Sequence, residues 1–288
     1  MFVIAGVTGN TGSVVAETLL AKKQPVRVLV RDAAKAERFR SLGAEVAVGS
    51  LDDAGSLAAA LKGAKGAYLL LPPDLANADP LGRAQRFIDA WTSVLPRSGL
   101  EHAVLLSSVG AQHAEGTGPI KMVHRAEQAL SKLEIPATFV RAAYFIENWA
   151  SVLGAAAKDG VLPTFERPDV TFPMVATRDI GETAAHALLE PSREKRIIHL
   201  AGPKDHTPND VAAIVGKLLG RDVKALHVAG EAIVGTLESF GIGNATARLF
   251  REMAEAIDSG HVAWEKDNGT LLRGKTSVES VLGPLLPR

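Results

Sequence analysis

The chain contains no cysteine in 288 residues, which excludes disulfides, thiolate metal sites, iron–sulfur clusters and a cysteine nucleophile. Neither sign of charge is in excess: 32 Lys and Arg balance 32 Asp and Glu, and no basic stripe runs through the sequence. Nucleic-acid or anionic-membrane binding driven by bulk electrostatics is therefore not expected. No apolar run approaches the roughly 20 residues that span a bilayer. The opening residues lack the cationic start of a secretory leader, so a cytoplasmic protein is the expectation. The eight histidines show no His-Glu-x-x-His spacing, and no metal site is expected. No Gly-x-Ser-x-Gly elbow is present, which disfavours a hydrolase. Tyrosines are scarce, with Tyr68 and Tyr144 the whole complement.

What is present points to a nucleotide. The apolar run Phe2-Val3-Ile4-Ala5 feeds Gly6-Val-Thr-Gly-Asn-Thr-Gly12, and a helical pattern begins at Ser13. Glycines let the backbone approach a pyrophosphate, and the N–H groups and dipole of the next helix favour negative charge there. The spacing is G-x-x-G-x-x-G instead of G-x-G-x-x-G, so the strand before and the helix after supply the context. The competing reading is a turn that only packs helix on strand.

Short, nearly continuously apolar segments alternate with helical patterns through the first half, as in a parallel sheet covered on both faces. Strands are expected at Val26–Val30, Ala44–Val48, Ala67–Leu71, Ala103–Leu106 and Ala137–Val140. Helices are expected at Ala54–Leu61, Ala84–Val94 and Val123–Leu133. Beyond residue 150 the pattern loosens. Strands are expected at Phe172–Val175 and Ile197–Leu200, and a helix at Asp179–Leu189. Another helix is expected from Thr207, as N-cap, with Pro208 at its first position, to Leu219 and Gly220. The rest reads as irregular helix. The fold class is thus α/β, a doubly wound parallel sheet over residues 1–150. A smaller C-terminal α/β lobe over 151–288 partly returns to the main sheet.

Ligands of such sheets sit at the carboxyl ends of the strands. That rule selects Gly6, Thr8, Gly9, Asn10, Thr11 and Gly12 after the first strand, and Arg31 and Asp32 after the second. Arg31 suits the 2′-phosphate of NADP, with Lys35 one helical turn on, whereas Asp32 holding the ribose would suit NAD, the less favoured cofactor. Asp52 is a candidate for the adenine edge or for a helix N-cap. Leu71 and Pro72 follow the fourth strand, Ser107 and Ser108 the fifth, and Arg141, Ala143 and Tyr144 the sixth. The serines could hold a ribose or substrate oxygen, or form a turn. Tyr144, Phe145 and Trp149 form either a wall against the nicotinamide or part of the core.

Gly6-Val-Thr-Gly-Asn-Thr-Gly12, Leu29-Val-Arg-Asp32, Gly49-Ser-Leu-Asp52, Arg141-Ala-Ala-Tyr-Phe-Ile-Glu-Asn148 and Val175-Ala-Thr-Arg-Asp179 together resemble the NmrA-like group of atypical short-chain dehydrogenases. The resemblance implies a Rossmann-type fold binding NADP(H). It also implies one of three activities: reduction of quinone-like or azo-like acceptors, isoflavone-type reduction, or cofactor sensing without turnover by a regulator that binds another protein. It maps the phosphate-selecting arginine onto Arg31 and the nicotinamide-side segment onto Arg141 to Phe145. The sequence departs from typical short-chain dehydrogenases in lacking their Tyr-x-x-x-Lys pair. Lys121 and His124 stand on the corresponding helix, three residues apart and on one face. They are the candidate catalytic residues: His124 as proton donor or as a structural hydrogen-bonder, Lys121 as a ribose ligand or, in isoflavone-type reduction, a base. A positioned acid typically contributes about 10²–10⁴-fold, so its absence favours a planar acceptor such as a quinone over an unactivated ketone. A homodimer or a protein partner is left open.

Overall fold

The computed structural model describes residues 1–287. In chain order its first half comprises β1 (Phe2–Ala5), α1 (Asn10–Ala21), β2 (Val26–Val30), α2 (Glu37–Ser41), β3 (Glu45–Val48), α3 (Ala54–Leu61), β4 (Gly66–Leu69), α4 (Pro80–Val94), β5 (His102–Ser108), α5 (Ile120–Ser131) and β6 (Ala137–Ala142). The second half adds β7 (Tyr144–Phe145), α6 (Leu153–Asp159), β8 (Val161–Thr164), β9 (Met174–Val175), α7 (Thr177–Leu189), β10 (Arg196–Ala201), α8 (Pro208–Leu219), β11 (Lys224–His227), α9 (Glu231–Ser239), α10 (Asn244–Asp258), β12 (Thr270–Arg273) and α11 (Val278–Leu282).

Eight strands form one parallel sheet in the order β12-β10-β6-β5-β4-β1-β2-β3. The order reverses at β1, which places the crevice for a ligand between the carboxyl ends of β1 and β4. Successive side chains of a strand point to opposite faces, so β1 splits its four buried residues between two cores. Phe2 and Ile4 join α1 and α7, with Val15, Leu19, Ile180 and Leu188. Val3 and Ala5 join α3, α4 and α5, with Leu57, Phe87, Trp91 and Leu130. A third cluster, containing Trp149, Leu153, Leu162, Val211, Ile257 and Leu282, joins the C-terminal elements to the loop after β5.

The expected helix at Ala54–Leu61 is present with those bounds. Thr207 caps α8 in a reciprocal box with Asp210, Pro208 is its first residue, and Gly220 ends it in the left-handed conformation. The fourth strand stops at Leu69 instead of Leu71, because Pro72 and Pro73 cannot donate to a ladder. Of Phe172–Val175 only Met174–Val175 is strand, while Phe172 makes an isolated bridge to His206. Four short strands, β7, β8, β11 and β12, are not among the expected ones: β7 has only two residues, β8 contains Pro163, and Lys224-Ala-Leu-His227 and Thr270-Leu-Leu-Arg273 do not alternate apolar with polar residues.

Candidate functional site

The turn between β1 and α1 is shaped by close backbone approach. Gly6 has φ +67°, and a Cβ there would stand 2.4 Å from Leu70 Cδ2. A Cβ on Gly12 would stand 2.4 Å from Ala5 O and 2.5 Å from Gly6 C, so only glycine lets the helix start against the strand. Thr8, Gly9 and Asn10 are exposed at the tip. The first turn of α1 has no side-chain cap and no acidic residue. Its unpaired N–H groups and positive dipole end are therefore open to an anion. Thr11 is turned inward, where its Oγ1 accepts a 3.0 Å hydrogen bond from the fully buried Tyr68 hydroxyl. Burial raises the pKa of that phenol, so it remains the donor.

At the end of β2 the two rival side chains have different tasks. Asp32 Oδ1 accepts the Ala34 N–H at 3.0 Å, capping the short turn that follows. Arg31 and Lys35 are exposed and have no ion-pair or hydrogen-bonding partner among the described residues. After β3 the capping role belongs to Asp53, whose Oδ1 accepts the Ser56 N–H at 2.7 Å. Asp52 remains exposed, and the one hydrogen bond its carboxylate accepts comes from the Ser50 hydroxyl.

Ser107, by contrast, is drawn away from the strand ends. Its hydroxyl donates to Glu127 Oε1 of α5 at 2.5 Å. Arg141 lies within β6 instead of after it, 4% exposed, with its guanidinium forked onto Glu127 at 3.0 and 2.6 Å and onto Glu265 at 2.7 Å. It is committed to an ion pair with Glu127 and Glu265. Breaking such a pair typically costs about 3–5 kcal/mol. The sequence reading had Arg141 at the strand end and did not identify Glu127 or Glu265; Glu265 is 124 residues away in sequence, where no spacing argument reaches.

Lys121 is buried, with Nζ 3.3 Å from both Glu115 and Glu252 carboxylates. His124 is half-buried, and its Nδ1 lies 2.8 Å from Ala111 O. A proton on Nδ1 satisfies that carbonyl and leaves Nε2 as the ring nitrogen available for chemistry. Beyond β6, Ala143 is buried and Tyr144 half-buried. The Tyr144 ring stands 5.4 Å from Phe172 and 6.1 Å from Trp149. Burial raises the Tyr144 hydroxyl pKa well above its ordinary value, and the buried Glu166 carboxylate adds to the rise. Leu71 and Pro72 line a cleft of about 160 Å³ at the carboxyl end of β4. Among the described residues no cluster of three metal-ligating side chains occurs, and no helix is long and apolar enough to cross a membrane.

The strand ends therefore present an open helix terminus and an unpaired arginine 19 residues beyond Gly12, an arrangement that fits a nucleotide carrying phosphates at two separate places. Comparison with known proteins agrees with that arrangement. The chain is 26% identical to the NAD(P)H azoreductase of Xenophilus azovorans over 279 residues, 96% of this chain and 93% of that protein. It is 23% identical to quinone oxidoreductase 2 of Escherichia coli K12, over 88% of this chain and 86% of that one. Among solved structures, the NADPH-dependent quinone oxidoreductase of Escherichia coli complexed with NADPH superposes with a TM-score of 0.82, at 22% identity and 99% coverage of both chains. The Citrobacter sp. triphenylmethane reductase complexed with NADP(H) superposes with a TM-score of 0.80, at 23% identity, over 99% of this chain and 100% of that one. The model of the NmrA-like family matches residues 1–279, nearly the full length, and the chain belongs to that family.

Proposed function

We propose that the protein is an NADPH-dependent reductase that passes hydride to a planar, quinone-like or azo-like acceptor. The observation that carries this reading is Arg31: exposed, without a carboxylate partner, and beside an aspartate whose oxygen is already used within the chain. A guanidinium fork matches the oxygens of a 2′-phosphate, and Lys35 adds a second positive charge nearby. Gly6 to Gly12 would hold the pyrophosphate on the amino end of α1, and Asp52 would take the adenine edge. The bound dinucleotide supplies the hydride.

The chain's own residues then position and protonate. Ala143, Tyr144 and Phe145 form the wall against which a flat acceptor is held, so orientation contributes most of the rate. Lys121, held between two carboxylates, serves the structure of α5 and α10 more than it serves as a base. On α5, His124 presents a second ring nitrogen, Nε2, beyond the one that meets Ala111 O, and the Tyr144 hydroxyl, kept protonated by burial, is a second source of a proton. An acceptor whose reduced oxygens or nitrogens take protons readily suits this weak donor set. The names of two relatives, azoreductase and quinone oxidoreductase, concern acceptors of that kind.

The test is NADPH oxidation with a panel of benzoquinones, naphthoquinones and azo compounds. Turnover with at least one of them, faster with NADPH than with NADH, is expected. Tight NADPH binding with no turnover on any acceptor would overturn the reductase reading in favour of a cofactor-sensing protein.

A further inference from the structure

The loop that leaves the carboxyl end of β5 is pressed against α10 and the segment that follows it. A Cβ on Gly118 would stand 2.1 Å from Leu249 O, and one on Gly116 would stand 3.2 Å from His261 Nε2. Side chains tie the two segments together as well. Gln112 Nε2 donates to Ala263 O at 2.8 Å. His261 Nε2 lies 3.3 Å from Glu115 O. The half-buried His113 ring is stacked on the exposed His261, with centroids 4.2 Å apart and planes 29° apart. The helix that carries Lys121 and His124, α5, begins where this loop ends.

These contacts fix the protonation of His113. Its Nε2 lies 3.2 Å from Gln112 Nε2. A carbonyl only accepts, so the Gln112 atom beside Ala263 O is the amide nitrogen, which only donates. His113 Nε2 is therefore the acceptor, and the ring is neutral. The other atom of the amide, Gln112 Oε1, is buried with no hydrogen-bond partner, which leaves this arrangement incompletely satisfied. A proton on His113 Nε2 reverses the balance. Two donors then face each other, and half a turn of the Gln112 amide offers Oε1 to the imidazolium. The same rotation removes the donor from Ala263 O and sets an oxygen against it. Charge on both stacked rings adds repulsion. The other charged groups about the pair are His124 of α5, Arg141 of β6 joined to Glu265, and Lys121 between Glu115 and Glu252 of α10. Burial first, and then the stacked His261, hold the His113 pKa below the ordinary histidine value; Glu265 opposes them, and His124 and Arg141 add to the lowering. We propose that His113 and Gln112 form an acid-released latch between the loop after β5 and the segment after α10, closed while the imidazole is neutral and opened by its protonation. The closed form binds one proton fewer than the open one, so it gains as the pH rises and is lost as the pH falls through the folded-state value of His113.

The test is hydrogen exchange of the full-length protein, followed by mass spectrometry and corrected for the intrinsic effect of pH. On going from about pH 7.5 to about pH 5, peptides from the loop after β5 and from the segment after α10 should exchange about threefold to tenfold faster, the range one hydrogen bond confers. Peptides from β1 should not change. His113→Phe keeps a ring on His261 but takes no proton, and its two segments should stay slow at both pH values. Gln112→Ala lacks the tie to Ala263 O and should be fast at both. A measurement on the wild type needs no variant: the side-chain NH₂ resonances of Gln112 should titrate together with the His113 ring. Exchange in the wild type that does not respond to pH overturns the proposal. So does an acceleration that survives in His113→Phe, or a Gln112 amide whose resonances stay fixed while the His113 ring titrates.

Discussion

The amino ends of α1 and α7 lie against each other on one face of the sheet, and they are finished in opposite ways. A Cβ on Gly181 of α7 would come within 2.5 Å of Val14 in α1 and 2.9 Å of Thr11 O. The first turn of α7 is closed by the chain itself: Glu147 accepts the Thr177 N–H at 2.9 Å and its hydroxyl at 2.6 Å. The first turn of α1 has neither a cap nor an acid. The same dipole and N–H groups are met from within in one helix and left without a side-chain partner in the other, as they also are in α5, α6 and α10. α3, α4 and α8 follow α7, each with an aspartate or threonine cap.

Finishing α1 as α7 is finished should have the largest consequence. Gly9 is the N-cap, with extended backbone, and a Cβ there would meet only Gly6 O at 3.4 Å. Gly9→Asp is expected to weaken NADPH binding roughly a hundredfold, about 2.7 kcal/mol, while stability holds or rises by a few tenths of a kcal/mol. Calorimetry and urea unfolding measure the two separately. Gly12→Ala attacks the geometry instead of the charge. Its methyl would meet backbone atoms at 2.4 and 2.5 Å, and a loss of about 1–3 kcal/mol is expected in urea unfolding. Opening α7 by Glu147→Ala should cost about 1 kcal/mol with NADPH affinity unaltered, since the chain itself already fills that end with Glu147.

The smallest effect is a pH signature of the closed ends. The Thr207 N–H holds the Asp210 carboxylate below the usual Asp range. A depressed carboxylate stabilises the fold above its unfolded pKa, and that contribution is lost as the pH falls through the folded value. Asp210→Asn should therefore lower stability near neutrality and flatten the acid limb below about pH 4. Unfolding midpoints across that range test it.

The contrast explains what the sequence made legible. The nucleotide end proposed here is written in local residues, Gly6, Gly12, Arg31 and Asp52, each on the loop that follows its strand. Local rules reach such features, and of the two roles open to Asp52 the structure gives the helix cap to its neighbour Asp53. The cleft beyond β4 is assembled from segments near 71, 87, 122 and 246, which meet only after the sheet is formed. Thr246 sits in an ordinary helical stretch, and nothing local distinguishes it from a solvent-facing threonine. Arg141 shows the same limit. Its place in the motif suggested a ligand-facing residue, but β6 runs one residue beyond it and turns its side chain onto Glu127. Ser107 was drawn into that pair for the same reason.

The central claim is that the open end of α1 and the unpaired Arg31 together receive a phosphorylated dinucleotide. Parallel titrations of the wild type and Arg31→Ser with NADPH and NADH test it most directly. The account predicts NADPH bound at least roughly tenfold more tightly by the wild type, about 1.4 kcal/mol, with the preference erased in the variant. Equal affinities in the wild type, or a preference that survives loss of the guanidinium, would contradict it.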